Sequence, residues 1–142
     1  MSDIPRELRR FVKKRAEGCC EYCLQSSDFD SIPYHIDHVI PRRHRGDTIE
    51  SNLCLSCAIC NVMKGSEIGS FDSLDGSITR LFDPRTDIWD DLFELEGSII
   101  QPLTPIGRVT EFVLDLNSVE RVQERHQLLR LGYYPCVPLR AN

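Results

Sequence analysis

The sequence predicts a small α+β domain: a zinc-stapled core of strand, loop, strand and helix, preceded by one amphipathic helix and followed by an α/β extension. Three observations predict it. Two Cys-x2-Cys pairs, Cys20/Cys23 and Cys57/Cys60, stand 33 residues apart. The stretch between them alternates as strands do, then closes on a two-turn helical run that stops at Gly65. Finally, 142 residues of which 41% are hydrophobic can bury one modest core, and a metal staple helps a chain of this size.

In chain order, Pro5 to Ala16 reads as a helix, with Pro5 suited to its first position, Leu8, Phe11, Val12 and Ala16 at helical spacing, and Gly18 as the stop. Its other face carries Arg6, Arg9, Arg10, Lys13 and Lys14. Cys20 to Cys23 makes a tight knuckle. Ile32 to Ile40 reads as extended between Pro33 and Pro41, with His35, Asp37 and Val39 on one side and Ile36, His38 and Ile40 on the other. Arg42 to Thr48 is a polar loop, Asn52 to Cys57 a second strand, and Ala58 to Lys64 a helix. Residues 1–66 are thus expected to form the core domain and 67–142 a supporting extension packed on it. In the extension the signals weaken. A hairpin around Gly97, a helix from Thr104-Pro105 to Leu116, and a last helix to Leu131 capped by Asn117 with Glu120 and stopped by Gly132 are expected. Trp89 and His126 read as packing residues and Cys136 as an incidental thiol.

Six of the seven cysteines fall within 42 residues. Met1 to Gly18 is charged throughout and lacks the apolar core of a secretory leader, and no apolar run approaches membrane-spanning length. A cytoplasmic setting with reduced thiols is therefore expected, and it favours metal binding over disulfides. Cys20, Cys23, Cys57 and Cys60 would hold a structural Zn2+ in a tetrahedron. Cys19 and Cys54 offer alternative registers, since Cys54-x2-Cys57 is also a pair; Cys57/Cys60 is preferred because a strand-to-helix corner points both at one metal. A Cys-x2-Cys redox motif is the competing reading, but no βαβ pattern accompanies it.

The segment between the pairs holds oxygen and nitrogen donors that a four-thiolate zinc leaves unused. The Asp37 carboxylate and the Asn61 amide suit Mg2+ or Mn2+, which keep sites for water and phosphate. His38, with an ordinary imidazole pKa of about 6.5, suits taking a proton from water. His35 shares the Asp37 side and reads either as a structural hydrogen bonder or as an aid to metal or phosphate.

Cys20-Glu-Tyr-Cys23, His35-Ile-Asp-His38-Val-Ile-Pro41 and Asn52-Leu-Cys-Leu-Ser-Cys57-Ala-Ile-Cys60-Asn61-Val-Met-Lys64-Gly65, in that order, resemble the HNH endonuclease family, also called His-Me finger or ββα-metal nucleases. The resemblance covers roughly residues 16–66, and the later stretches 83–85 and 103–108 are similar to the tails of small bacterial, notably cyanobacterial, HNH proteins. It implies Asp37 and Asn61 as ligands of the catalytic metal, His38 as general base and Asn52 as the residue that orients the catalytic loop. Asparagine at position 61 departs from the family's frequent histidine and favours an oxygen-preferring metal. The implied activity is metal-assisted hydrolysis of phosphodiester bonds in DNA. The alternative is a non-catalytic zinc module that binds nucleic acid or protein.

Charge limits how DNA would be met. The chain has 17 basic and 22 acidic residues, net −5, divided as 10 against 9 up to residue 66 and 7 against 13 beyond it. Bulk attraction to a polyanion is excluded. Phosphate contact should come from Arg42, Arg43 and Arg45, with Lys64 as a further contact or a helix cap. No second DNA-reading module is visible, so specificity should be low or be supplied by a partner or a homodimer.

Overall fold

A computed structural model describes residues 4–136. Helix α1 spans Arg6–Ala16, with Pro5 as its cap rather than its first residue. Glu7 in its first turn and Lys13, Lys14 and Arg15 in its last match the helix dipole. Glu17 and Gly18, both at positive φ, end it. Strand β1 (His35–His38) pairs antiparallel with β2 (Leu53–Ser56) in the register Asp37↔Cys54 and His38↔Leu53. Helix α2 (Ala58–Lys64) follows directly, capped by the Cys57 sulfur, which accepts from the Cys60 N–H. Val12 and Ala16 of α1 pack on Leu53 and Leu55 of β2 with Ile4, so α1 covers one face of the ribbon while the knuckle and α2 close the other side. This β-β-α arrangement in a mixed α+β chain is the expected class.

Beyond residue 66, β3 (Gly69–Asp72) and β4 (Ser77–Arg80) form a hairpin that the sequence reading did not foresee. The short helix α3 (Trp89–Leu92) leads into the expected hairpin of β5 (Phe93–Glu96) and β6 (Ile99–Pro102) around Gly97. Helix α4 spans Pro105–Leu114, with Thr104 capping through the Gly107 N–H, and α5 spans Val119–Arg130. The cap of α5 is Ser118, not Asn117. The Asn117 amide is used elsewhere: it accepts from Ile100 N–H and donates to Ile100 C=O, tying α5's approach to β6.

The main core takes residues from both sides of position 66, among them Tyr22, Val39 and Cys54 with Phe82, Trp89, Phe93, Ile100 and Leu114. Trp89 packs as expected, and its indole N–H donates to Tyr22 C=O at 2.9 Å. His126 does not; it lies exposed on α5. Cys136 is not an incidental thiol either, being bonded to Cys19 in a disulfide. Among the described residues no helix is long and apolar enough to cross a membrane.

Candidate metal centre and catalytic strand

The four sulfurs of Cys20, Cys23, Cys57 and Cys60 lie within 4.8 Å of one another, all buried. Cys54 is not among them, so the Cys57/Cys60 register holds. The donor set fits zinc: Zn–S bonds of about 2.3 Å make a tetrahedron with edges of about 3.8 Å. Cys23 Sγ and Cys57 Sγ stand 3.8 Å apart. In each pair the second residue's N–H donates to the first sulfur, Cys23 to Cys20 at 3.5 Å and Cys60 to Cys57 at 3.4 Å. The two turns are therefore alike, one in a loop and one at the start of α2. Burial pushes the Cys20 and Cys60 thiols up, while hydrogen bonds from Cys20, Cys57 and Cys60 hold Cys23 well below the usual thiol range.

One partner of this cluster was invisible in the sequence reading. Arg121 of α5 donates to Cys60 Sγ at 2.9 Å and lies 3.9 Å from Cys57 Sγ. Burial works against its charge, but Cys60 and Cys23 outweigh that and hold the guanidinium above its ordinary range. An arginine in a helix separated from its sulfur by 61 positions gives no local signal; the sequence predicts only a helix there.

Strand β1 distributes the catalytic candidates by alternation. Asp37 points inward and is buried. Its Oδ2 accepts from the Tyr22 hydroxyl at 2.8 Å and the Cys54 thiol at 3.7 Å, and it pairs with Lys64 Nζ at 3.2 Å. Lys64 also donates to His38 C=O at 3.0 Å. The expectation of Lys64 on phosphate is corrected here: the side chain is 1% exposed, because α2 packs on β1 and turns its last residue toward a carboxylate rather than to water.

His38 is half-buried on the other side of the strand, its Nε2 2.9 Å from the Thr48 hydroxyl. Burial, with Arg42 and Lys64, lowers its pKa below the ordinary 6.5, against an opposing pull from Asp37. Asn52 closes the loop between the strands. Its Oδ1 accepts from Ile40 N–H at 2.8 Å and its Nδ2 donates to Ile40 C=O and Asp47 C=O at 3.0 and 2.9 Å. Arg42, Arg43 and Arg45 are exposed on the turn after β1, and Arg42 also donates to Thr48. Asn61 is half-buried on α2, one residue past Cys60; Asp37 takes its hydrogen bonds from Tyr22 and Cys54 instead. His35, at the start of β1, is exposed. Thr48 and Gly46 were also missed, although both sit in the loop singled out as polar.

The segment is a β-β-α unit with a four-cysteine cluster that could hold zinc, histidines on its first strand and an asparagine clamp on its loop. Residues 20–67 match the family model described as HNH endonuclease. No curated protein and no solved structure matches the chain.

Proposed function

We propose that this protein is a metal-dependent HNH endonuclease that hydrolyses phosphodiester bonds in DNA. The HNH segment implies nuclease chemistry in general. What carries the finer reading is His38, a histidine whose pKa burial lowers, beside an exposed run of arginines. His38 takes a proton from water, the water oxygen bonds to phosphorus, and the P–O3′ bond breaks with its electron pair leaving on O3′. Arg42, Arg43 and Arg45 hold the phosphates on either side, and Asn52 keeps the loop that carries them in register with β1. Asp37 and Asn61 are the oxygen donors for Mg2+ or Mn2+, with Asp37 Oδ1 free of the three contacts that fall on Oδ2. When bound, that ion would stabilise charge on the phosphate and the departing oxygen. DNA is met through its backbone with low sequence specificity.

Supercoiled plasmid incubated with Mg2+ or Mn2+ tests this. The zinc-loaded protein should nick it, and His38→Ala should lower the rate by about 100-fold or more. Because only neutral imidazole accepts the proton and burial lowers its pKa, the rate should fall to half only at a pH below 6.5. Equal nicking by wild type and His38→Ala defeats the proposal.

One observation favours a second reading, a non-catalytic zinc module that binds nucleic acid. Asp37 already has its counter-charge in Lys64, which opposes a second cation nearby. DNA binding that survives Asp37→Ala and His38→Ala, with no turnover under any divalent ion, would select it.

A further inference from the structure

Arg121 is 6% exposed, and an unpaired guanidinium so far from water is costly to bury. One arm of its fork, Nη1, donates to Leu114 C=O at 2.7 Å and Asp115 C=O at 3.3 Å, at the end of α4. The other arm, Nη2, donates to Cys60 Sγ at 2.9 Å and reaches Cys57 Sγ at 3.9 Å. Among these partners the carbonyls offer only partial charge. A full counter-charge is present only when the sulfurs are thiolates, which is their state on a metal.

We propose that Arg121 belongs to the metal centre, as the cation that holds the Cys60 thiolate and offsets the negative charge of the loaded cluster, so that α5 tightens metal binding. Four thiols and Zn2+ give a tetrathiolate of net charge −2 and four released protons. A cation fixed at hydrogen-bond distance from one of the four sulfurs favours that product over the neutral thiols. By linkage, bound zinc strengthens the seating of α5 by the same factor. The inference rests on the four-sulfur metal reading and is independent of the nuclease reading.

Arg125, one turn further along α5, supplies the control. It is also buried, yet its side chain donates to Ser98 C=O and Asn117 Oδ1 and to no sulfur. Full-length wild type, Arg121→Met, Arg121→Lys and Arg125→Met are loaded with zinc and titrated with a competing chelator, with folding followed by circular dichroism. Arg121→Met should bind zinc about 10- to 100-fold more weakly, the usual loss when a partner of a metal ligand is removed. Arg125→Met should bind it as wild type does.

In Co2+-substituted protein the thiolate-to-metal charge-transfer band of Arg121→Met should move to longer wavelength, since a sulfur freed of its N–H donor gives up charge more readily. Arg125→Met should leave the band in place. If Arg121→Met does not fold, Arg121→Lys carries the test, because an ammonium cannot span both carbonyls and the sulfur as the fork does; weaker zinc binding and a shifted band are expected. Wild-type zinc affinity with an unmoved band in the folded Arg121 variant overturns the proposal, as does an equal loss in Arg125→Met. A wild-type chain that takes up no zinc overturns the metal reading itself, which shows separately in the stoichiometry.

Discussion

Removing the ammonium of Lys64 would leave the Asp37 carboxylate buried with neutral donors alone around it. Tyr22 and Cys54 stay neutral because burial first, joined by Cys54 and Asp37 at Tyr22 and by Asp37 and Glu21 at Cys54, pushes both well above their ordinary ranges. Breaking a buried ion pair from one side costs about 3–5 kcal/mol, so Lys64→Ala should lower the unfolding free energy by that amount in a urea titration. Lys64→Met combined with Asp37→Asn should recover much of the loss, since no charge is then stranded. A loss under about 1 kcal/mol in Lys64→Ala would mean that water reaches Asp37, as at a surface pair. Nothing in the sequence separates this lysine from an ordinary helix C-cap. Position 64 suits the dipole equally well whether the side chain turns out or in, and the direction is set by how α2 lies across β1.

Elements whose information is local were legible; those defined by distant partners were not. The knuckle, β1, β2 and α2 follow from cysteine spacing and two periodicities, and each lies within a few residues of its expected bounds. The β3–β4 hairpin escaped because its large apolar residues face away from the core. Phe71 and Ile78, directly paired across the strands, are 57% and 82% exposed, so the alternation that usually marks a buried face points outward. Helix α5 was expected, but its buried positions, Arg121 and Arg125, were not, because arginine carries no apolar signal.

In the site, the general-base candidate and the asparagine clamp were readable from order and spacing, while Thr48, Tyr22 and Arg121 depend on tertiary approach. The loop between β1 and β2 shows how tight that approach is. A Cβ on Gly46 would stand 1.6 Å from Ile40 C=O and 2.8 Å from Asn52 Nδ2, where the clamp closes. Gly46→Ala should therefore force the clamp open, costing about 1–3 kcal/mol in thermal or chemical denaturation, and should slow nicking through misplaced arginines. Unchanged stability would show that the loop yields without strain.

At the scale of the whole molecule, Arg85 and the last described residues converge on the segment around the Cys20/Cys23 knuckle. Tyr134 donates its hydroxyl to Cys23 C=O at 2.7 Å, the Cys136 N–H donates to Leu24 C=O at 2.8 Å, and Tyr133 stacks on Phe29. Arg85 pairs with Glu21 of the same knuckle. The cysteine reading anticipated the staple but not this closure, because a lone cysteine far from a cluster carries no sign of its partner. Without reductant, Cys136→Ser should lower stability to guanidinium by about 2–4 kcal/mol; with reductant, the two proteins should unfold together. Matching curves in both conditions would show that the Cys19–Cys136 bond contributes nothing.

That bond also decides which parts of the molecule a mechanical load can reach. Tension applied on either side of the bridge in the oxidised chain travels through Cys19 and Cys136, peeling α1 off the ribbon while the 116 residues between them carry no load. About 400 Å of extensible chain, with the metal cluster and the candidate catalytic strand inside it, is thus shielded from the pull until the sulfur bridge is cut.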